Sequence, residues 1–123
     1  MFSDKECSGH HLIIDLKKCK NYDILNSVDA GKFLFDEICK TFNFTVLNRA
    51  EHEFEPHGYT ILYMLSESHM SIHTFPERNY ASFDLYSCRY YEDTKELEMI
   101  YAYVVDNFDA DKKDVPFIIK RSF

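Results

Sequence analysis

The alternation of apolar and polar positions divides the first half of the chain into strands and a loop. The apolar run from His11 to Leu16 predicts a strand, and the polar residues 17–22 predict a loop after it. Residues 44–54 and 59–66 are rich in β-forming side chains. Between them Glu55-Pro56-His57-Gly58 contains the proline and glycine typical of a turn, so the two segments predict a hairpin.

Helical spacing of apolar residues appears twice. A first helix is predicted to begin after Asn26 or Ser27, either of which can cap it, and to end near Phe42. A second is predicted after Asp93, with Glu96 three positions on as in a capping box. Each helix has one apolar stripe and one charged face, which is typical of a helix that covers a sheet. The stripes are Leu34, Phe35, Ile38, Cys39 and Phe42 in the first helix, and Leu97, Ile100, Tyr101, Val104, Val105 and Phe108 in the second.

The remaining segments complete a two-layer fold. Residues 80–87 alternate Ser82, Asp84 and Tyr86 with Phe83 and Leu85, as a half-buried strand does, and residues 115–119 predict a short last strand. With a strand in the segment before residue 80, the order is β-α-β-β-β-β-α-β. This order predicts an α+β sandwich in which an antiparallel sheet carries its helices on one face, as a single domain over residues 1–123.

Composition and charge narrow the classes of function. The chain is 46% hydrophobic and 16% aromatic, enough for a buried core in 123 residues. A net charge of -7 argues against binding to a phosphate backbone, so no nucleic-acid partner is predicted. The aromatic side chains are accordingly interpreted as sheet packing and interface.

The sequence predicts a cytoplasmic protein. Its first residues lack the basic and apolar segments of a secretory signal, and its apolar runs are far shorter than the roughly 20 residues that span a membrane. Four cysteines without a CxxC pair are interpreted as free thiols. His69 and His73 are four positions apart, a spacing that suits zinc on a helix, but this segment is predicted to be extended and no metal site is predicted.

Three motifs lie close together in the middle of the chain. They are F-x-P-x-G at residues 54–58, S-E-S-H-x-x-I-H-x-F-P-E at residues 66–77 and Y-A-S-x-D-x-Y-x-C at residues 80–88. Together they resemble the small, bacterial-type S-adenosylmethionine decarboxylases. The resemblance runs from about His11 to Cys88 and is sharp only from Phe54 onward.

In that family the chain cuts itself at a Glu-Ser bond, which corresponds here to Glu67-Ser68 and implies chains 1–67 and 68–123. A serine hydroxyl held against the preceding carbonyl can attack it and convert the peptide into an ester. Removal of the serine Hα then eliminates the ester and leaves dehydroalanine, which hydrolyses to a pyruvoyl group and ammonia. The resemblance therefore implies a pyruvoyl cofactor made from Ser68 itself.

The resemblance also assigns the residues that assist. His73 matches the histidine that acts as the base in elimination, a role that histidine commonly has in enzymes. Thr60 stands at the position of a hydroxyl residue that holds the ester intermediate. Cys88 matches the cysteine that donates a proton to the product of decarboxylation.

The implied substrate is S-adenosylmethionine, whose amine forms a Schiff base with the pyruvoyl carbonyl. Phe54 matches an aromatic residue that stacks on the adenine, and Glu77 matches the carboxylate that holds the ribose hydroxyls. The product is the aminopropyl donor for spermidine synthesis. The family forms homodimers, so the same assembly is expected here.

Three positions depart from the family pattern. Thr60 replaces the commoner serine, which predicts slower processing, and Asn79 replaces a glycine but tolerates left-handed backbone. Arg89 stands where a glycine commonly follows the cysteine and is expected to alter a turn beside the active site.

Other interpretations stay open from the sequence alone. The same pyruvoyl chemistry can act on L-ornithine or L-arginine, and the chain can be an unprocessed, non-catalytic relative that pairs with an active subunit. Cys88 and Phe54 can be core residues, His73 a hydrogen-bonded core imidazole and Glu77 a solvated turn residue.

Overall fold

The computed structural model describes residues 7–112 and 116–123, and it contains one antiparallel sheet with helices on one face. In chain order the elements are β1 (Cys7–Leu16), α1 (Tyr22–Asn26), α2 (Val28–Thr41), β2 (Val46–Glu53), β3 (Tyr59–Leu65), β4 (Ser68–Phe75), a 3₁₀ turn (Pro76–Arg78), β5 (Tyr80–Ser87), α3 (Lys95–Phe108) and β6 (Phe117–Ser122). The six strands lie in the order β2-β3-β4-β5-β1-β6. The predicted α+β sandwich is confirmed.

Strict alternation gives the sheet a helix-covered face and an open face. On β4 the side chains of Met70, Ile72 and Thr74 are buried, while those of His69 and His73 are exposed. The helix α2 packs on β3, and α3 packs on β1. The core therefore lies between the sheet and its helices, and the opposite face of the sheet carries no helix among the described elements.

Close contact between α2 and β3 depends on a glycine. A Cβ atom at Gly31 would lie 2.5 Å from the hydroxyl oxygen of Tyr59, which is fully buried. That hydroxyl donates a hydrogen bond of 2.6 Å to the carbonyl of Ile24 in α1. The ring of Tyr59 thus fills the space beside Gly31 and links both helices to the strand that carries Thr60.

Several predicted boundaries differ from the structure; β2 and β3, for example, are slightly shorter than the predicted segments 44–54 and 59–66. β1 begins at Cys7 rather than His11, because Cys7 and Gly9 are buried and pair with β6. The five residues of α1 were not predicted, since so short a helix shows no apolar period, although Asn21 caps it. The predicted last strand began at Val115, which lies outside the described residues; β6 begins at Phe117.

The predicted cap of the second helix is wrong by one residue. α3 begins after Thr94, and Asp93 accepts a hydrogen bond of 2.9 Å from the backbone N–H of Lys95. Glu96 does not complete a capping box, because its carboxylate pairs with Arg89 at 3.3 Å. The first helix begins after Ser27, one of the two predicted caps, and the Ser27 hydroxyl accepts from the Ala30 N–H.

No helix in residues 7–112 or 116–123 is long and apolar enough to cross a membrane.

The fold distributes the four cysteines unequally, and this predicts their reactivity. Cys7, Cys19 and Cys39 are buried free thiols, whereas Cys88 is partly exposed. Burial raises the pKa of the Cys19 and Cys39 thiols to about 11, which disfavours their reactive thiolate forms. An aromatic disulfide reagent near neutral pH is therefore expected to modify Cys88 rapidly in the native protein and the other three only after denaturation. Fast modification that persists in Cys88→Ser would contradict this assignment.

Candidate active site

The predicted cleavage point lies in the turn between β3 and β4. Leu65 and Ser68 face each other across this hairpin, with Ser66 and Glu67 forming the turn. Glu67 has φ of 66°, a left-handed conformation that is uncommon for a residue other than glycine. Strain of this kind often marks functional segments, and here it falls on the residue whose carbonyl precedes Ser68.

Two backbone hydrogen bonds hold this turn from outside. The N–H of Cys88 donates to the carbonyl oxygen of Glu67 at 3.0 Å, and the N–H of Ser66 donates to the carbonyl oxygen of Thr45 at 2.8 Å. The first bond polarises the carbonyl that the Ser68 hydroxyl is predicted to attack. An amide in this position also stabilises negative charge that develops on the oxygen.

Sheet register brings Cys88 to Ser68. Ser68 on β4 pairs with Ser87 on β5, so the residue that follows β5 lies beside the turn that precedes β4. Ser68 and Cys88 are both partly buried. We call Glu67, Ser68 and Cys88 the cleavage half-site.

A second group of predicted residues lies toward the other end of the same strands. Thr60 on β3 pairs with His73 on β4, and the Thr60 hydroxyl lies 2.8 Å from Nδ1 of His73. This hydrogen bond orients the imidazole and leaves Nε2 to face outward from it. Both side chains belong to the open face of the sheet.

Phe54 and Glu77 lie at the same end of the sheet as Thr60 and His73. The loop that contains Phe54 joins β2 to β3, and the 3₁₀ turn that contains Glu77 follows β4. The two segments touch, since His57 in the loop and Glu77 in the turn form an ion pair. We call Phe54, Thr60, His73 and Glu77 the His73 half-site.

The side chains of Phe54 and Glu77 are half exposed and have histidine neighbours. The ring of Phe54 meets that of His52 edge to face at 4.7 Å, and a Glu77 oxygen lies 3.4 Å from Nε2 of His57. Phe54 is 50% exposed, and the Glu77 side chain is 51% exposed. An exposed ring and an exposed carboxylate are chemically suited to stacking on a base and to accepting hydrogen bonds from hydroxyls.

The two half-sites do not meet within one chain. Ser68 and His73 are five residues apart on β4, which is about 16 Å at roughly 3.3 Å per residue. The separation is an odd number, so alternation directs the two side chains to opposite faces of the sheet. The sequence motif predicted that Ser68 and His73 belong to one site. Their odd separation on a segment predicted to be extended already implied opposite faces, but that prediction did not take it into account.

Two of the three departures from the family pattern have a structural account in the backbone. Asn79 adopts φ of 51°, so the expectation that it tolerates left-handed backbone is confirmed. Arg89 is not among the described residues with positive φ, and its N–H donates to the Ser87 hydroxyl at 3.2 Å. A glycine's conformational freedom is therefore not required at residue 89 in this chain.

The amide of Cys88 is the feature of this site that sequence reasoning missed. A backbone contact between residues 67 and 88 leaves no signature in side-chain types, so only the pairing of β4 with β5 reveals it.

His69 and His73 lie on one face of an extended strand, about 13 Å apart at the usual strand rise, too far to share a metal ion.

Comparison with known proteins identifies the family. Residues 10–121 match the family model for S-adenosylmethionine decarboxylase. An S-adenosylmethionine decarboxylase proenzyme of Clostridium botulinum (strain Loch Maree / Type A3) is 32% identical over 113 residues, which cover 92% of this chain and 94% of that protein. One from Thermodesulfovibrio yellowstonii is 33% identical over 112 residues, covering 91% of this chain and 78% of the relative.

A solved structure has the same fold. The crystal structure of the adenosylmethionine decarboxylase from Aquifex aeolicus aligns with a TM-score of 0.81 at 26% sequence identity, covering 96% of this chain and 93% of that chain. The chain belongs to the S-adenosylmethionine decarboxylase family.

Proposed function

We propose that this chain is an S-adenosylmethionine decarboxylase that makes its own pyruvoyl group by self-cleavage between Glu67 and Ser68. The observation that carries the proposal is the Cys88 N–H held against the Glu67 carbonyl, in a strained turn directly before Ser68. The family and the names of the relatives support the substrate and the precursor form.

The residues around Ser68 fit a pyruvoyl group. Ser68 opens β4, so a cut before it releases a turn and leaves the strand intact. β4 stays paired with β3 on one side and with β5 on the other, from residue 68 onward. The two products therefore remain one folded unit, with the new terminus beside Cys88.

The first step uses only groups of the cleavage half-site. The Ser68 hydroxyl oxygen attacks the Glu67 carbonyl carbon, and the carbonyl oxygen gains negative charge toward the Cys88 N–H. The carbon–nitrogen bond to Ser68 then breaks and its nitrogen takes up a proton. The product is an ester that joins Glu67 to the Ser68 side-chain oxygen.

The second step needs a base. Removal of the Ser68 Hα breaks the bond between Cβ and the ester oxygen, so Glu67 leaves as a carboxylate and residue 68 becomes dehydroalanine. Its enamine tautomerises to an imine, water adds, and ammonia departs to leave the pyruvoyl group. His73 is proposed as the base, with its Nδ1 hydrogen-bonded to Thr60.

A second copy of the chain is proposed to supply that base. Ser68 and His73 lie at opposite ends of β4, so a two-fold dimer with the β4 strands of two copies antiparallel sets the His73 end of each copy beside the turn that precedes Ser68 in the other. Exposed apolar side chains on the open face, which also carries His73, support an interface there. They include Leu62, Met64, Phe75, Phe117 and Ile119.

For decarboxylation the chain's residues bind and orient the substrate. When present, the pyruvoyl group supplies an electrophilic carbonyl for the substrate amine and accepts the electrons released with carbon dioxide. Phe54 is proposed to stack on the adenine and Glu77 to accept hydrogen bonds from the ribose hydroxyls. Cys88 is proposed to hold the proton that replaces the lost carboxyl group. The product serves as an aminopropyl donor for spermidine, and the free cysteines are consistent with the reducing cytoplasm.

Mass spectrometry of the denatured protein tests self-cleavage. We expect two fragments, residues 1–67 and 68–123, the second with a blocked N-terminus and reactive toward a hydrazine. Ser68→Ala is expected to stay in one piece, since alanine has no nucleophile, whereas Ser71→Ala on the same strand is expected to cleave normally. A folded wild-type chain that remains uncut would overturn the proposal and favour a non-catalytic relative.

The substrate is tested with the processed protein and carbon dioxide release. We expect the protein to decarboxylate S-adenosylmethionine. We expect it not to decarboxylate L-ornithine or L-arginine, because neither contains an adenosine that Phe54 and Glu77 could bind. Glu77→Gln is expected to raise KM for S-adenosylmethionine more than it lowers kcat. Turnover of ornithine or arginine alone would assign a different substrate.

The role of His73 is tested by trapping the ester. His73→Ala is expected to form the ester but not to eliminate it, because the base is absent. Hydroxylamine should then cut the chain at residue 67, leaving a hydroxamate on Glu67 and a free amine on Ser68. His52→Ala, on the exposed strand β2, is the matched control and is expected to self-cleave without hydroxylamine.

A shared site is tested by mixing two inactive precursors. In a dimer of Ser68→Ala with His73→Ala, the first chain offers an intact His73 half-site to the Ser68 of the second. Co-expression is therefore expected to cleave the His73→Ala chain, in roughly half of its copies under random pairing. Absence of cleavage in heterodimers verified by native mass spectrometry would rule out a site shared in this way.

A further inference from the structure

Arg89 connects the two backbone segments that hold the cleavage turn. Its guanidinium donates hydrogen bonds to the carbonyl oxygens of Phe42 at 2.7 Å and Asn43 at 2.9 Å, just after α2. It also lies over the ring of Phe44, with its central carbon 4.1 Å from the centroid. One side chain thus binds three consecutive residues of the loop before β2.

That loop and Arg89's own segment each contribute one bond to the turn. Thr45, directly after Phe44, accepts the hydrogen bond from the Ser66 N–H, and Cys88, directly before Arg89, donates to the Glu67 carbonyl. The spacing between Thr45 and Cys88 therefore sets the position of the Ser66-Glu67 turn between them. Arg89 spans this gap and fixes the spacing.

The contacts of Arg89 are the kind that fix geometry. Carbonyl groups at a helix C-terminus have no partner within the helix and carry partial negative charge, so they bind a cation well. The planar guanidinium bonds two carbonyls at once while stacking on a ring, which a lysine cannot do. Glu96 in α3 accepts a further hydrogen bond of 3.3 Å from the same guanidinium nitrogen that donates to Phe42.

We propose that Arg89 is a positioning residue for self-cleavage: it holds the Cys88 amide against the Glu67 carbonyl while Ser68 attacks. The inference rests on the proposed self-cleavage. The inference adds that the rate of ester formation depends on the Arg89 side chain, although this side chain contacts neither the Ser68 hydroxyl oxygen nor the Glu67 carbonyl carbon.

The test compares cleavage rates of folded precursors made by cell-free synthesis. Arg89→Gly is expected to lower the first-order rate by on the order of 10-fold to 100-fold, the range for misplacing an oxyanion donor. Arg89→Lys, which retains the charge, is expected to be intermediate. Arg49→Lys is the matched control. Arg49 also stacks on a ring, that of Tyr63, and pairs with a carboxylate, that of Asp36, but it lies on the edge strand β2.

Hydroxylamine separates positioning from a loss of folding or of the base. In folded Arg89→Gly it is expected not to restore cleavage, because the ester itself forms slowly; in His73→Ala it should restore cleavage. Rates of Arg89→Gly and Arg89→Lys within twofold of wild type would overturn the proposal, as would restoration of Arg89→Gly by hydroxylamine. If Arg89→Gly does not fold, the rate of Arg89→Lys decides. A wild-type chain that stays uncut would instead refute self-cleavage as a whole.

Discussion

The hydrogen bond from the Cys88 amide to the Glu67 carbonyl is the contact on which the proposed chemistry depends. It exists because β4 and β5 pair with Ser68 opposite Ser87, which carries the residue after β5 to the turn before β4. A shift of one residue in this register would send Met70, Ile72 and Thr74 to the open face. The core therefore enforces the register, and the register aligns the amide with the carbonyl.

The same register separates the reacting groups. It pairs Thr60 with His73 far from Ser68 and on the other face of the sheet, so a single chain holds two incomplete sets of groups. This division has a chemical consequence. On the proposed mechanism, a chain takes its base from a second copy, so it completes cleavage only after it has folded and paired.

Arg89 illustrates how a departure from a family pattern can be absorbed. Glycine at that position offers freedom of φ, but this chain does not use positive φ there and instead uses the side chain to join α2, α3 and the segment after β5. The loop after α2 has its own left-handed residue, Asn43 with φ of 65°, which turns its carbonyl toward the guanidinium.

Local patterns in the sequence determined the elements and much of the fold. The alternation in residues 80–87 predicted β5 to the residue, and the candidate caps Asn26 and Ser27 predicted the start of α2 to within one residue, because burial on one face and capping are properties of neighbouring residues. Brief elements were harder: α1 is too short to show a period, and the start of β1 depends on pairing with β6 at the far end of the chain. The motifs likewise singled out the candidate groups of Ser68, His73 and Cys88, whose proposed chemistry lies in their side chains.

Tertiary structure alone decided which of those groups meet. The contact between Glu67 and Cys88 is made by backbone atoms, whose position does not depend on side-chain type, and the contacts of Arg89 join segments more than 40 residues apart. The sequence by itself placed Ser68 and His73 in one site, whereas the pleat of β4 directs them to opposite faces. The chemistry of a side chain is a property of its own position in the sequence. Which side chains lie close together is decided only when strands that are distant in the sequence pair in one register.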